Sequence, residues 1–148
     1  MSISTDETLL NEDEAAELAK ELKAQLKAGN APKGDARHIQ LMVAGLGDRR
    51  GLLRRTFAES LGIVGKAAVP ALREALNQHS SATVRRAAAK TLKLVGDPST
   101  LPDLLAALLN DPDPVVQGSA AGAMAIFGAD AVNLLLEVLI NPNSTAMQ

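Results

Sequence analysis

Apolar residues fall at helical spacing along this chain, and the pattern itself recurs every 31 or 32 residues. Leu53 to Gly65, Val84 to Gly96 and Val116 to Gly128 align, with apolar residues at relative positions 1, 5, 9 and 12. Each segment predicts a helix stopped by its glycine in a left-handed conformation. A shorter helix is predicted after each glycine, from Val69, Leu72 and Leu76, then Leu101, Leu104, Leu105 and Leu108, then Val132, Leu135, Leu136 and Leu139. His79-Ser80-Ser81, Asn110 to Pro114, and Asn141-Pro142-Asn143 read as the turns between repeats. Upstream, Asp35 to Leu46 reads as one more helix, pairing with Arg49 to Val64.

No helical hairpin buries its apolar face alone, so three to four hairpins must stack on one continuous core. The predicted fold is all-α, a short right-handed α-solenoid. Residues 1–10 are expected to be disordered. Residues 11–28 form an acidic N-terminal helix, in which Asn11 and Glu14 have the spacing of a capping box. Residues 29–34 read as a linker and residues 35–148 as the repeat domain. Asn141 to Gln148 resembles the opening of a further repeat helix, cut after one turn. The chain is therefore expected either to be a fragment of a longer protein or to pair with another copy through this open end.

Composition fits this architecture. Ala (26) and Leu (23) dominate, Phe57 and Phe127 are the two aromatic residues, and Cys, Trp and Tyr are absent. Small aliphatic side chains suit close helix contact better than a sheet. Ala58, Ala88, Ala89, Ala120 and Ala121 are the expected close contacts, with Phe57 and Phe127 as large core fillers. Without cysteine there is no thiolate zinc site, no cysteine nucleophile and no thioether attachment of a chromophore. Without Trp or Tyr a base-stacking platform for nucleic acid is not expected. No segment is long and apolar enough to span a bilayer, and a cytoplasmic protein is the expectation.

Charge is segregated. Residues 1–21 carry a net −6, residues 22–93 a net +10 and residues 94–148 a net −6. The middle of the chain should attract an acidic partner or an anionic ligand.

The sequence Val84-Arg85-x-x-Ala88-x-x-x-Leu92-x-x-x-Gly96, matched by Leu53, Arg54, Phe57, Leu61 and Gly65, resembles the HEAT repeat. In this short form it is similar to the repeats of the cyanobacterial E/F-type phycobilin lyases and the related phycobilisome degradation proteins. That resemblance implies binding to phycobiliprotein subunits, with bilin detachment during phycobilisome breakdown as the first reading. A bilin lyase subunit, which attaches or transfers chromophore and commonly works in a two-subunit pair, is the alternative. A generic scaffold without pigment is the third. It also implies a ladder of Asp and Arg between repeats, here Asp48, Arg54, Arg85 and Asp111. His79 stands where the middle repeat would carry Asp, and Gln117 where the third would carry Arg, so a complete ladder is not expected.

There is no nucleophile–base signature, no metal-ligand spacing and no phosphate loop. Catalytic residues are therefore unassigned, and no metal is expected. His38 and His79 read as surface and turn residues. Arg86, Lys90 and Lys93 share one helix face, and Arg55 is the repeat equivalent of Arg86. These cations form either a solvated face, with Arg55 and Glu59 paired, or a basic strip for carboxylates. Arg49 and Arg50 sit at a helix start, unfavourable for cations unless acids pair with them. In the third repeat Gly118 and Gly122 replace Arg86 and Lys90. Two interior glycines call either for tight packing of a neighbouring helix or for close approach of a flat ligand. A non-covalent phycobilin, its propionates on the basic strip, would suit the second.

Overall fold

The computed structural model describes residues 10–141. They form eight α-helices: α1 (Glu12–Lys27), α2 (Ala36–Gly45), α3 (Gly51–Val64), α4 (Val69–Gln78), α5 (Ala82–Val95), α6 (Leu101–Asn110), α7 (Pro114–Ala125) and α8 (Ala129–Ile140). Short 3-10 turns, Gly65–Ala68 and Pro98–Thr100, precede α4 and α6. No strand occurs among the described residues. The expectations for residues 1–9 and for an interrupted repeat helix after Asn141 lie outside the described residues.

The helix ends follow local chemistry. Asn11 accepts from the Glu14 N–H at 2.8 Å while Glu14 accepts from the Asn11 N–H at 3.0 Å, a reciprocal cap for α1. Ser81 caps α5 and Asp113 caps α7 through backbone N–H groups. Asp35 occupies the cap position of α2 but binds His38 instead, at 2.6 Å. Gly96 takes the left-handed helical conformation (φ 70°, ψ 29°). Gly65 and Gly128 also have positive φ, but ψ of −133° and −119° carries them into a region open to glycine almost alone. The chain therefore turns differently after α5, where Asp97-Pro98-Ser99 adds a residue.

The helices stack in two layers. α1, α3, α5 and α7 follow one another in one layer, and α2, α4 and α6 in the other; α2–α3, α4–α5 and α6–α7 form the hairpins. This is an all-α helical-repeat solenoid. α1 packs against α3. It thus extends the layer, because Ala15, Ala19 and Leu22 give it a buried stripe.

The core runs between the layers through Met42, Leu46, Phe57, Leu61, Leu72, Leu76, Leu92, Leu104, Leu105 and Val116. Phe57 is fully buried and lies against Gly45, where any β-carbon would run into its ring. Phe127 is only half-buried, at the edge of the core. Ala88, Ala89 and Ala120 are buried as expected, whereas Ala121 is exposed because it turns to the open side of α7. Ser60 and Thr91, repeat equivalents, are buried and donate to the carbonyls four residues back at 2.8 and 2.7 Å. α8 buries Ala131 and Val138 but leaves Val132, Leu136, Leu139 and Ile140 exposed.

Candidate functional site

His79-Ser80-Ser81 and Asn110 to Pro114, expected as turns between repeats, lie inside the hairpins α4–α5 and α6–α7, and with the α2–α3 turn they share one hydrogen-bond design. Asp48 accepts from the N–H two residues on at 2.9 Å, and Asp111 does the same at 2.9 Å. His79 fills this role with its ring, Nδ1 accepting from the Ser81 N–H at 3.0 Å. The position six residues after each then donates back to the turn. Arg54 reaches the Asp48 carbonyl at 2.6 Å, Arg85 the His79 carbonyl at 2.9 Å and Gln117 the Asp111 carbonyl at 3.0 Å. His79 and Gln117 thus preserve the turn despite departing from the repeat pattern, an equivalence visible only in three dimensions.

The rungs between repeats are more selective. Of the expected ladder residues, Arg85 and Asp111 meet, with Nε–Oδ2 at 3.0 Å and Nη2–Oδ1 at 3.3 Å, both side chains largely buried. Arg54 has no such carboxylate, because the next turn carries His79. The Asp48 carboxylate binds Arg50 instead, at 2.8 Å. The Arg50 guanidinium holds the Asp48 carboxyl below the usual carboxylate range, against the opposing effect of burial. Arg49 pairs with Glu12 at 2.7 Å, and Arg50 also donates to the Glu12 carbonyl at 2.8 Å. Acids therefore do offset the cations at the start of α3. On the other layer, Arg73 of α4 binds Asp103 of α6 at 2.7 Å, a rung that the sequence reading missed.

The candidate binding residues lie on the open side of the α1–α3–α5–α7 layer. Lys90 and Lys93 of α5 face Gly118 and Gly122 of α7 across an open groove of about 420 Å³, completed by Val115, Ser119 and Ala123. This volume lies in the range of small-molecule sites. Arg86 is half-buried and Arg55 exposed on the same side, outside the groove lining. The structure thus gathers four of the six expected residues. No ion pair among the described residues engages Arg55, Arg86, Lys90 or Lys93, so the Arg55–Glu59 pair of the solvated-face alternative is not formed.

A β-carbon on Gly118 or Gly122 would meet no atom within 4 Å. The packing explanation for these glycines is overturned, since no neighbouring helix approaches them. Close neighbours are instead found at Gly45, against Phe57, at Gly47, against Val84, and at Gly62, against the Leu94 β-carbon. Among the described residues no cluster of His, Cys, Asp or Glu could hold a metal ion. No helix of the described residues is long and apolar enough to cross a membrane.

Stacked hairpins in two layers define a helical-repeat protein. The sequence pattern of HEAT repeats matches residues 9–92 and 69–147, and the chain belongs to the HEAT-repeat family. The first match includes α1, in agreement with its place in the layer. Among curated relatives, the bilin biosynthesis protein MpeU of Synechococcus sp. strain WH8020 is 52% identical over 94% of this chain and 47% of its own length. The phycocyanin operon protein Z of Pseudanabaena tenuis strain PCC 7409 is 35% identical over 80% of the chain and 62% of its own length. The deoxyhypusine hydroxylase of Neosartorya fischeri is 36% identical over 60% of the chain and 27% of its own length. The chain spans about half the length of the curated relatives it matches.

Proposed function

We propose that this chain is a bilin-handling HEAT module that acts with phycobiliproteins in chromophore attachment or transfer. The observation that carries this reading is the 52% identity, along nearly the whole chain, to a protein named for bilin biosynthesis. Detachment of bilin during phycobilisome breakdown, the first expectation from the resemblance, takes second place because that relative is named for synthesis.

The groove is suited to such a pigment. A bilin is a flat, largely apolar tetrapyrrole carrying two propionates. Gly118 and Gly122 leave two open positions, one turn apart, in the α7 wall, so a planar ring can lie against the helix backbone there. Lys90 and Lys93 stand opposite, where their ammonium groups can pair with carboxylates. Val115 supplies an apolar edge. Because the chain has no cysteine, it would hold the pigment non-covalently and pass it on.

The test is to mix the protein with free bilin and a phycobiliprotein apo-subunit and follow visible absorbance, then denature the product. Covalent pigment on the subunit, dependent on this protein, supports attachment. Loss of pigment from a loaded subunit favours detachment. An unchanged spectrum with no co-elution leaves a scaffold without pigment.

A further inference from the structure

Three exposed aliphatic side chains recur at one repeat position. Ile63 on α3, Leu94 on α5 and Ile126 at the end of α7 are 53%, 54% and 46% exposed. They sit eight residues after Arg55, Arg86 and Gly118 respectively, so all three lie on the open side of the layer beside the cations. Leu94 also rests against Gly62 of the preceding helix, which brings α3 and α5 close along this line. One exposed aliphatic residue is ordinary; the same exposure in three successive helices makes a rail.

We propose that this rail docks an acidic amphipathic helix of a partner protein, laid across α3, α5 and α7. Packed helices lie about 8–10 Å apart. Seven residues of an α-helix advance about 10.5 Å, so residues seven apart on one helix come close to the spacing of the rail. A β-strand places same-face residues about 6.6 or 13 Å apart and misses it. The charge of the occupant follows from its neighbours. Arg55, Arg86, Lys90 and Lys93 flank the rail without ion-pair partners among the described residues, with Glu59 beside them on α3. The docked helix would therefore carry apolar residues at a seven-residue spacing and Asp or Glu beside them. The three aliphatic residues lie outside the groove lining, whereas Lys90 and Lys93 border both, so the aliphatic variant is the one that separates this docking from the pigment reading.

The test uses the whole chain and a fluorescent, helix-locked synthetic peptide with Leu at positions 3, 10 and 17 and Glu beside them. Anisotropy should report saturable binding that weakens with salt. The triple variant Ile63→Ser, Leu94→Ser, Ile126→Ser should weaken it at least about tenfold while retaining the helical circular dichroism of the parent. The double variant Arg86→Glu, Lys90→Glu should lose the Glu peptide and gain a Lys version. Equal binding by the triple variant, or by a peptide of the same composition with Leu at two-residue spacing, would overturn the proposal. So would binding to anionic vesicles with none to the peptide. Biliverdin absorbance, measured on the same triple variant, should remain as in the parent and reads the pigment site separately.

Discussion

The second and third repeats carry one backbone plan with opposite surfaces. In α5, Arg85 turns inward to Asp111, while Arg86, Lys90 and Lys93 face out. In α7, Gln117 keeps only the turn carbonyl, and Gly118 and Gly122 stand where the cations were. The second repeat therefore has both cohesion and charge. The third gives up helix propensity, about 1 kcal/mol per interior glycine, with no packing contact in return. Stability and a ligand-sized surface have been assigned to neighbouring copies of the same unit.

The comparison breaks most severely at the rung. Arg85→Ala strands the largely buried Asp111 carboxylate and should cost about 3 kcal/mol of unfolding free energy in urea denaturation. Gln117→Ala, which removes one neutral bond, should cost about 1 kcal/mol. Equal losses would mean that the two repeats are held alike. Next in size, Lys90→Glu with Lys93→Glu should weaken bilin binding by at least about tenfold in an absorbance titration, through the lost carboxylate pairing. Gly118→Ala and Gly122→Ala sharpen the contrast with opposite signs. Each should raise stability by about 1 kcal/mol, since the new methyl meets nothing, yet reduce bilin affinity by filling the wall.

The smallest effect is the acid response of the first turn. Asp48 titrates below its unfolded value because Arg50 stabilises the carboxylate. Its contribution is thus complete above about pH 4 and is lost as pH falls through its folded value. Asp48→Asn should flatten the stability profile on that acid limb and leave the slope between pH 6 and 8 unchanged.

Periodicity made the hairpins legible because buried positions repeat, and the stop glycines were legible because positive φ favours glycine. The Arg85–Asp111 rung followed from the repeat pattern. Other features needed coordinates. A histidine ring standing in for an Asp carboxylate has no sequence signature, and neither does the contact of Gly45 with Phe57. The two α7 glycines were ambiguous, since one letter serves both close packing and open space. The aliphatic rail escaped the pattern because Ile63, Leu94 and Ile126 lie at relative position 11, outside the recurring positions 1, 5, 9 and 12, and their exposure needed coordinates.

The single buried rung between α5 and the α6–α7 turn also sets an order of opening. A linear stack is coupled only through nearest neighbours, so each interface opens according to its own strength. α8 is held through Ala131 and Val138, and α7 carries two glycines, while Arg85 ties α5 to the α6–α7 turn and Arg73 ties α4 to α6. Amide hydrogens should exchange first in α8, then in α7, and last in α3 and α5. The end that holds half of the groove is then the end that breathes, and a ligand bound there would slow exchange well beyond its own contacts.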